Sequence, residues 1–330
     1  MEFLNDYGLF LAKALTVLLV LLTLISAVAA TLRSARQQEQ LPSRLQVRHL
    51  NEELRQASLA LKSAMLPAKA IKRERKRLKL ERKQRDSNGR PRMFVLDFHG
   101  DIRASATESL REEITALLTV AEAGDEVLLR LESGGGTIPA YGLAAAQLLR
   151  LRDRQIELTV AVDRVAASGG YMMACVGNRI LSAPFAILGS IGVIAQLPNF
   201  HRMLKRHDID FEQFMAGEHK RTVTLFGENT EQGREKFQQE IEQAHDLFKD
   251  FVARHRPQLE LEAIATGEYW YGIQALEHKL SDKLQTSDDY LLKRSEELDI
   301  YLLSKGVRKP LLSRLLPGVD DALARLLGRA

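Results

Sequence analysis

Hydrophobic and polar positions divide the chain into three regimes. Residues 14–32 form an apolar run of nineteen positions without a charge. A helix of that length crosses most of a ~30 Å hydrocarbon core. Gly8 to Ala12 can extend it, with Lys13 reaching toward the interface. The pattern predicts an uncleaved N-terminal membrane anchor over residues 1–32. A cleaved leader is the rival reading, because Ala27-Val28-Ala29 has the small-x-small form of a cleavage site. Against it, the run is long for a leader, and Glu2 and Asp6 stand where a basic segment is expected.

Residues 33–91 carry few apolar positions and many helix formers, which predicts a helical or disordered connecting segment. "DSNGRP", residues 86–91, closes it as a turn-rich boundary. Beyond that point short apolar runs alternate with helical periods. Strands are predicted at 93–98, 126–133 and 156–162, and helices at 107–124 and 140–154. This β-α-β-α-β order argues for a parallel sheet with crossover helices, whose sites gather at the carboxyl ends of the strands. Further on, "DIDFEQFM" (208–215) reads as a strand. Residues 229–255 read as a long amphipathic helix starting at Asn229 or Thr230. The predicted domain is 92–290, followed by a basic amphipathic tail over 291–330 whose role is not legible.

Composition changes the picture little. The apolar fraction of 45% and charged fraction of 27% are those of a globular protein. The single cysteine, Cys175, excludes an internal disulfide and sits in an apolar run as an inert buried thiol. Charge matters more through its placement than through its formal net value of +4. Nine basic and two acidic residues lie between Lys72 and Arg85. A solvated helix or attraction to anionic lipid headgroups explains the run. Nucleic acid is not expected, since no aromatic residues are interleaved for stacking. Arg33, Arg36, Arg44 and Arg48, against Glu39, follow the apolar run and favour a cytoplasmic body.

Two glycine loops fall at predicted strand ends, "ESGGGT" (132–137) and "AASGG" (166–170). Glycines let backbone N–H groups approach a ligand and hold a developing oxyanion. Ser168, where a helix begins, is either a nucleophile or an ordinary N-cap. A G-x-S-x-G elbow and an H-E-x-x-H metal motif are both absent, and His99, His201, His207, His219 and His278 lie in no distinctive motif. Lysine is the remaining common base, and "AGEHKRT" sets Lys220 in a glycine-containing turn. Trp270, the only tryptophan, is more readily packing than a substrate contact.

The blocks "LRLESGGG", "VDRVAASGGYMMA", "LGSIGV", "AGEHKRT" and "ATGEYWYGIQALEHKLSDKL", in this order, resemble the S49 signal-peptide-peptidase family of serine proteases. The resemblance runs from the anchor to residue 290. It implies an α/β crotonase-like (Clp protease-like) fold and a Ser–Lys dyad without metal or cofactor. By motif, Ser168 is the nucleophile, Lys220 the base, and Ser190 the serine that orients the lysine amine. Gly169, with Gly135 or Gly136, supplies the oxyanion N–H groups. The family loop reads S-P-G-G, whereas this chain has Ser133-Gly134-Gly135-Gly136, which removes a φ restraint without removing a donor. An amine near its ordinary pKa of ~10.4 is protonated at neutral pH, so the base must be desolvated to act.

The resemblance further implies apolar peptide substrates such as signal-peptide remnants, a ring-like homo-oligomer and the bacterial inner membrane. It places the catalytic domain on the far side of that membrane, opposite to the charge rule. Membrane lipids, through the anchor and the basic segment, complete the expected partners. Two other functions remain open at this point. One is an acyl-CoA enzyme of the same fold, in which the N–H pair holds a thioester enolate. The other is a non-catalytic membrane scaffold.

Overall fold

A computed structural model describes residues 44–88, 90–217 and 219–306, together with Lys13, Leu15 and Leu18. The predicted anchor over 1–32 lies outside the described residues apart from those three. Residues 307–330 of the predicted tail also lie outside them. Among the described residues no helix is long and apolar enough to cross a membrane.

The elements run β1 (Arg44–His49), α1 (Leu50–Met65), α2 (Ala68–Asn88), β2 (Arg92–Gly100), α3 (Thr107–Leu118), β3 (Glu126–Ser133), α4 (Ile138–Asp153), β4 (Glu157–Val162) and β5 (Val165–Ala167). They continue with α5 (Gly169–Ala174), β6 (Arg179–Ser182), β7 (Ile187–Gly189), α6 (His201–Arg206) and α7 (Glu231–His255). The last are α8 (Leu261–Ile264), β8 (Tyr269–Tyr271), α9 (Gly272–Glu277), β9 (Lys283–Leu284), α10 (Ser287–Arg294) and β10 (Asp299–Gly306). Residues 47–304 form one compact unit.

Alternating side chains sort the sheet into two apolar faces. Phe94, Leu96 and Phe98 of β2 and Val127, Leu129 and Leu131 of β3 face a core closed by α3, α4, α5 and α7. Met93, Val95 and Leu128 face a smaller core with Tyr290 and Leu291 of α10. Burial on both faces is what a parallel sheet demands. The strand order is β1-β10-β2-β3-β4-β6-β9, and the pairs from β10 through β9 are parallel.

The sheet forks at β3. Glu126 to Arg130 pair with β4, while Ser133 pairs with Ala166 of β5. Strand β5 then pairs parallel with β7, and β7 antiparallel with β8. The glycine loop leaves from the end of β3, beside the end of β5. Crevices of this kind, outside the carboxyl ends of parallel strands, are where α/β proteins place their sites.

Three expectations are corrected. Residues 208–215 form no strand; Ile209, Phe211, Phe214 and Met215 are exposed, so no partner strand or core takes them up. The expected tail boundary at 290 falls inside α10. Beyond it Ile300, Leu302 and Leu303 are buried in β10, which pairs with β2 from Asp299↔Arg92 onward. The segment before residue 92 is not wholly a spacer either. Asn51 in α1 donates to the carbonyls of Ser295 (3.0 Å) and Leu298 (2.8 Å) and accepts from Ile300 N–H (2.7 Å), tying α1 to the β10 entry.

Candidate active site

Ser168 follows β5 and occupies the position before α5, where a serine ordinarily caps the helix. It does not cap: its side chain makes no capping hydrogen bond, and its backbone sits at φ 52°, ψ −119°. A non-glycine residue there is strained, and such strain persists only where the surroundings over-determine it. They do so here. Ser168 N–H donates to Gly189 O at 2.8 Å, and its carbonyl accepts from Met172 N–H at 3.0 Å. Its neighbours Ala166, Ala167, Gly169 and Gly170 are all buried, leaving the serine half-buried at the surface of the core.

The glycines next to Ser168 are there because nothing larger fits. A Cβ on Gly169 would lie 2.4 Å from Tyr141 Cγ, and one on Gly170 would lie 2.5 Å from Ser133 O. Gly135, at φ +92°, brings the other loop against the serine. Its absent Cβ would stand 2.7 Å from Ser168 Cβ and 2.8 Å from Gly169 N. The fork in the sheet therefore sets the two loops in direct contact.

The N–H groups of the two loop glycines named by the sequence differ in their hydrogen bonding. Gly135 N–H is committed to Ser133 Oγ at 3.0 Å. The N–H groups of Gly136 and Gly169 have no partner among the described residues. Gly136 is held by a close approach to Ile102, whose carbonyl oxygen would lie 2.1 Å from a Cβ at that position.

The lysine is built differently. Lys220 lies in a turn, with its N–H on Gly217 O at 3.1 Å, and is exposed. It lines a cavity of about 530 Å³ with Phe211, Phe214, Met215 and Phe226, and Ser168 is not among the lining residues. Ser190 follows Gly189, the residue that holds Ser168 N–H. Its hydroxyl donates to Gly267 O at 3.2 Å, which leaves its lone pairs free to accept from an amine. Trp270 is partly buried, packed on the core and 4.2 Å from the His278 ring, as expected of a packing residue. Thr230 caps α7 by accepting from Gly233 N–H at 3.1 Å. Cys175 is buried, and burial pushes its thiol far above the ordinary range.

Sequence reasoning did not find Tyr141. It is fully buried, its hydroxyl lies 2.5 Å from Ser133 Oγ, and it donates to Asp101 O at 2.7 Å. Burial raises its phenol, partly offset by the Ser133 hydrogen bond. Nothing in "TIPAYGL" announces this role; the contact joins residues that only the fold brings together. A second cavity, of about 260 Å³, lies on the sheet face opposite α3 and α4. Its Asp97–Arg130 pair (2.6 Å) and Arg164–Glu132 pair (3.0 Å) satisfy one another.

The family model described as "Peptidase family S49 N-terminal" matches residues 2–148, and "Peptidase family S49" matches residues 150–300. "Probable protease SohB" of Haemophilus influenzae is 54% identical over 237 residues, covering 72% of this chain and 67% of that one. Its namesake in Buchnera aphidicola subsp. Acyrthosiphon pisum is 52% identical over 240 residues, covering 73% and 71%. Among solved structures, the 1510-N membrane-bound stomatin-specific protease aligns at a TM-score of 0.46 with 12% identity. That alignment covers 66% of this chain and all of the other.

Proposed function

The chain belongs to peptidase family S49, and from that premise we propose that it cleaves peptide bonds with a Ser168–Lys220 dyad. One observation carries the assignment. Ser168 is held in a strained conformation that makes no cap, with a Gly169 N–H that has no partner among the described residues beside it and the glycine loop pressed against its Cβ. The order of elements and the forked sheet support the crotonase-like reading of the fold.

In this reading the neutral Lys220 amine takes the Ser168 hydroxyl proton as Oγ attacks the substrate carbonyl carbon. The carbonyl electron pair moves onto oxygen, where the N–H groups of Gly169 and Gly136 receive it. Collapse breaks the C–N bond, and the lysine ammonium returns the proton to the leaving nitrogen. Water, deprotonated by the same amine, then attacks the acyl ester and frees Ser168. Ser190 accepts a hydrogen bond from the amine and aims it. No step calls for a metal or cofactor.

Lys220 is exposed in the single chain, and an amine acts as a base only when unprotonated, a form that desolvation favours. A second copy, or the bound peptide, supplies that cover. The surroundings fit self-association into a ring. Phe214 (90% exposed), with Phe211, Met215 and Phe226 around the same cavity, offers an apolar surface of the kind that marks an interface. Apolar peptides such as signal-peptide remnants are the substrates such a surface admits. The apolar run expected to anchor residues 1–32 and the basic α2 support a reading in which the enzyme sits at the bacterial inner membrane, in contact with its lipids.

The test is a fluorophosphonate probe read by intact mass. One adduct, absent in Ser168→Ala, is expected. Labelling that survives Ser168→Ala, or no labelling of a folded oligomer, overturns the reading in favour of an acyl-CoA enzyme or a scaffold.

A further inference from the structure

Four elements meet beneath Ser168: the end of β2 at Gly100, the end of β3 at Ser133, the first turn of α4 at Tyr141, and the start of α5 at Gly169. Gly100 and Gly169 are what make the meeting fit. A Cβ on Gly100 would lie 2.4 Å from Tyr141 Oη and 2.6 Å from Ser133 Oγ, and one on Gly169 would enter the Tyr141 ring. The phenol thus fills a slot that two glycines leave open.

The hydrogen bonds in the slot run in one direction. Tyr141 Oη donates its single proton to Asp101 O at 2.7 Å. The Ser133 hydroxyl, 2.5 Å away, must therefore donate to Tyr141, so that Ser133 Oγ accepts from Gly135 N–H at 3.0 Å. Gly100 O, at 3.5 Å, is the weaker alternative for the serine proton. Both side chains are buried, with Tyr141 at 0% and Ser133 at 2% exposure.

The loop at the end of this relay is held at its far end, where Gly136 packs on Ile102 and Thr137 N–H donates to Ile102 O at 2.9 Å, but not at its start. Gly134, Gly135 and Gly136 are three glycines in succession, the backbone with the most conformational freedom to lose. A Cβ on Gly134 would meet nothing within 4 Å, so packing does not hold that residue. Gly135, in contact with Ser168 Cβ, is the point where the loop must stay fixed. We propose that Tyr141 and Ser133 are positioning residues: the relay Tyr141–Ser133–Gly135 clamps the glycine loop, so that Gly136 N–H meets the oxyanion formed at Ser168. The inference rests on the Ser168 reading above.

The relay predicts a split in the kinetics. Tyr141→Phe keeps the ring in its slot and removes only the hydroxyl. In the full chain, kcat for a fluorogenic apolar peptide falls about 10- to 100-fold, short of the loss of a whole oxyanion donor. KM stays within about twofold, because the clamp acts on the transition state. Ser133→Ala falls further, and the double variant is no worse than Ser133→Ala alone, since the two residues act as one unit. Amide hydrogen exchange over residues 132–137 gives a readout apart from catalysis, and Tyr141→Phe accelerates it. Unchanged exchange in folded Tyr141→Phe overturns the proposal, as does a kcat equal to wild type or additive losses in the double variant. If Ser168→Ala hydrolyses peptide as well as wild type while Tyr141→Phe still accelerates exchange, the dyad falls and the clamp stands.

Discussion

The end of β5 and the segment 192–229 carry the two residues assigned to chemistry, and they are built on opposite terms. Around Ser168 every immediate neighbour is buried, and glycines at 135, 169 and 170 stand where a methyl group would collide. Across 192–229 no described residue is buried, and α6 turns no side chain into the core. Ser168 is therefore positioned by the chain around it. Lys220 rides on a surface whose apolar groups the described residues leave exposed. Within one protein, the proposed dyad would join a strained residue at the core to a residue left on the surface.

The sharpest way to break this contrast is to remove the base. Lys220→Ala and Lys220→Arg should each lower peptide hydrolysis on the order of 10³-fold, because arginine cannot give up its proton. Both should leave the free energy of unfolding within about 0.5 kcal/mol of wild type, as befits an exposed residue. Activity retained in Lys220→Arg would show that charge, not proton transfer, is what residue 220 supplies.

Gly169→Ala tests the other half. The added methyl drives into Tyr141, so it should cost about 1–3 kcal/mol in urea unfolding as well as activity. A variant as stable as wild type would mean that the core around Ser168 yields, and the contrast would lose its basis.

Phe214→Ser comes next. Its ring is 90% exposed, so stability should not fall, while the weight-average mass by sedimentation should drop at micromolar protein. An unchanged mass would remove that ring from the proposed self-association surface.

The smallest effect concerns acid. Burial alone would raise the Asp125 carboxyl, but hydrogen bonds from the Arg92 guanidinium and from the N–H groups of Glu122 and Arg92 outweigh it and hold it below the ordinary range. A depressed carboxyl contributes stability above its unfolded value, about 3.9. That contribution disappears as the pH falls through the folded value. Stability should decline as the pH drops below about 4, and Asp125→Asn should flatten that decline. An unaltered slope would assign the acid sensitivity to other groups.

Much of the core half was readable from residue order. The runs that became β2, β3 and β4 alternate with helical periods, and local pattern decides such elements because both faces are buried. The serine between small residues was visible too, though its strain was not. What escaped reading was set by distant contacts. Tyr141 depends on Ser133 and on glycines at 100 and 169. The hydrogen bond that occupies Gly135 N–H, to Ser133 Oγ, likewise forms only in the fold. Residues 208–215 misled for the reverse reason: their apolar side chains resemble a buried strand, yet within this chain they are surface.

Strand β10 lies between β1 and β2, with Asp299 opposite Arg92. During synthesis, then, β2 emerges early and waits with one edge unpaired until nearly the whole domain has left the ribosome. A strand that waits with an open edge invites pairing with other chains, and so distant a partner makes closure slow. A chain halted at residue 290 would carry Ser168 and Lys220 yet leave the β10-side edge of β2 open, with β2 paired to β3 alone.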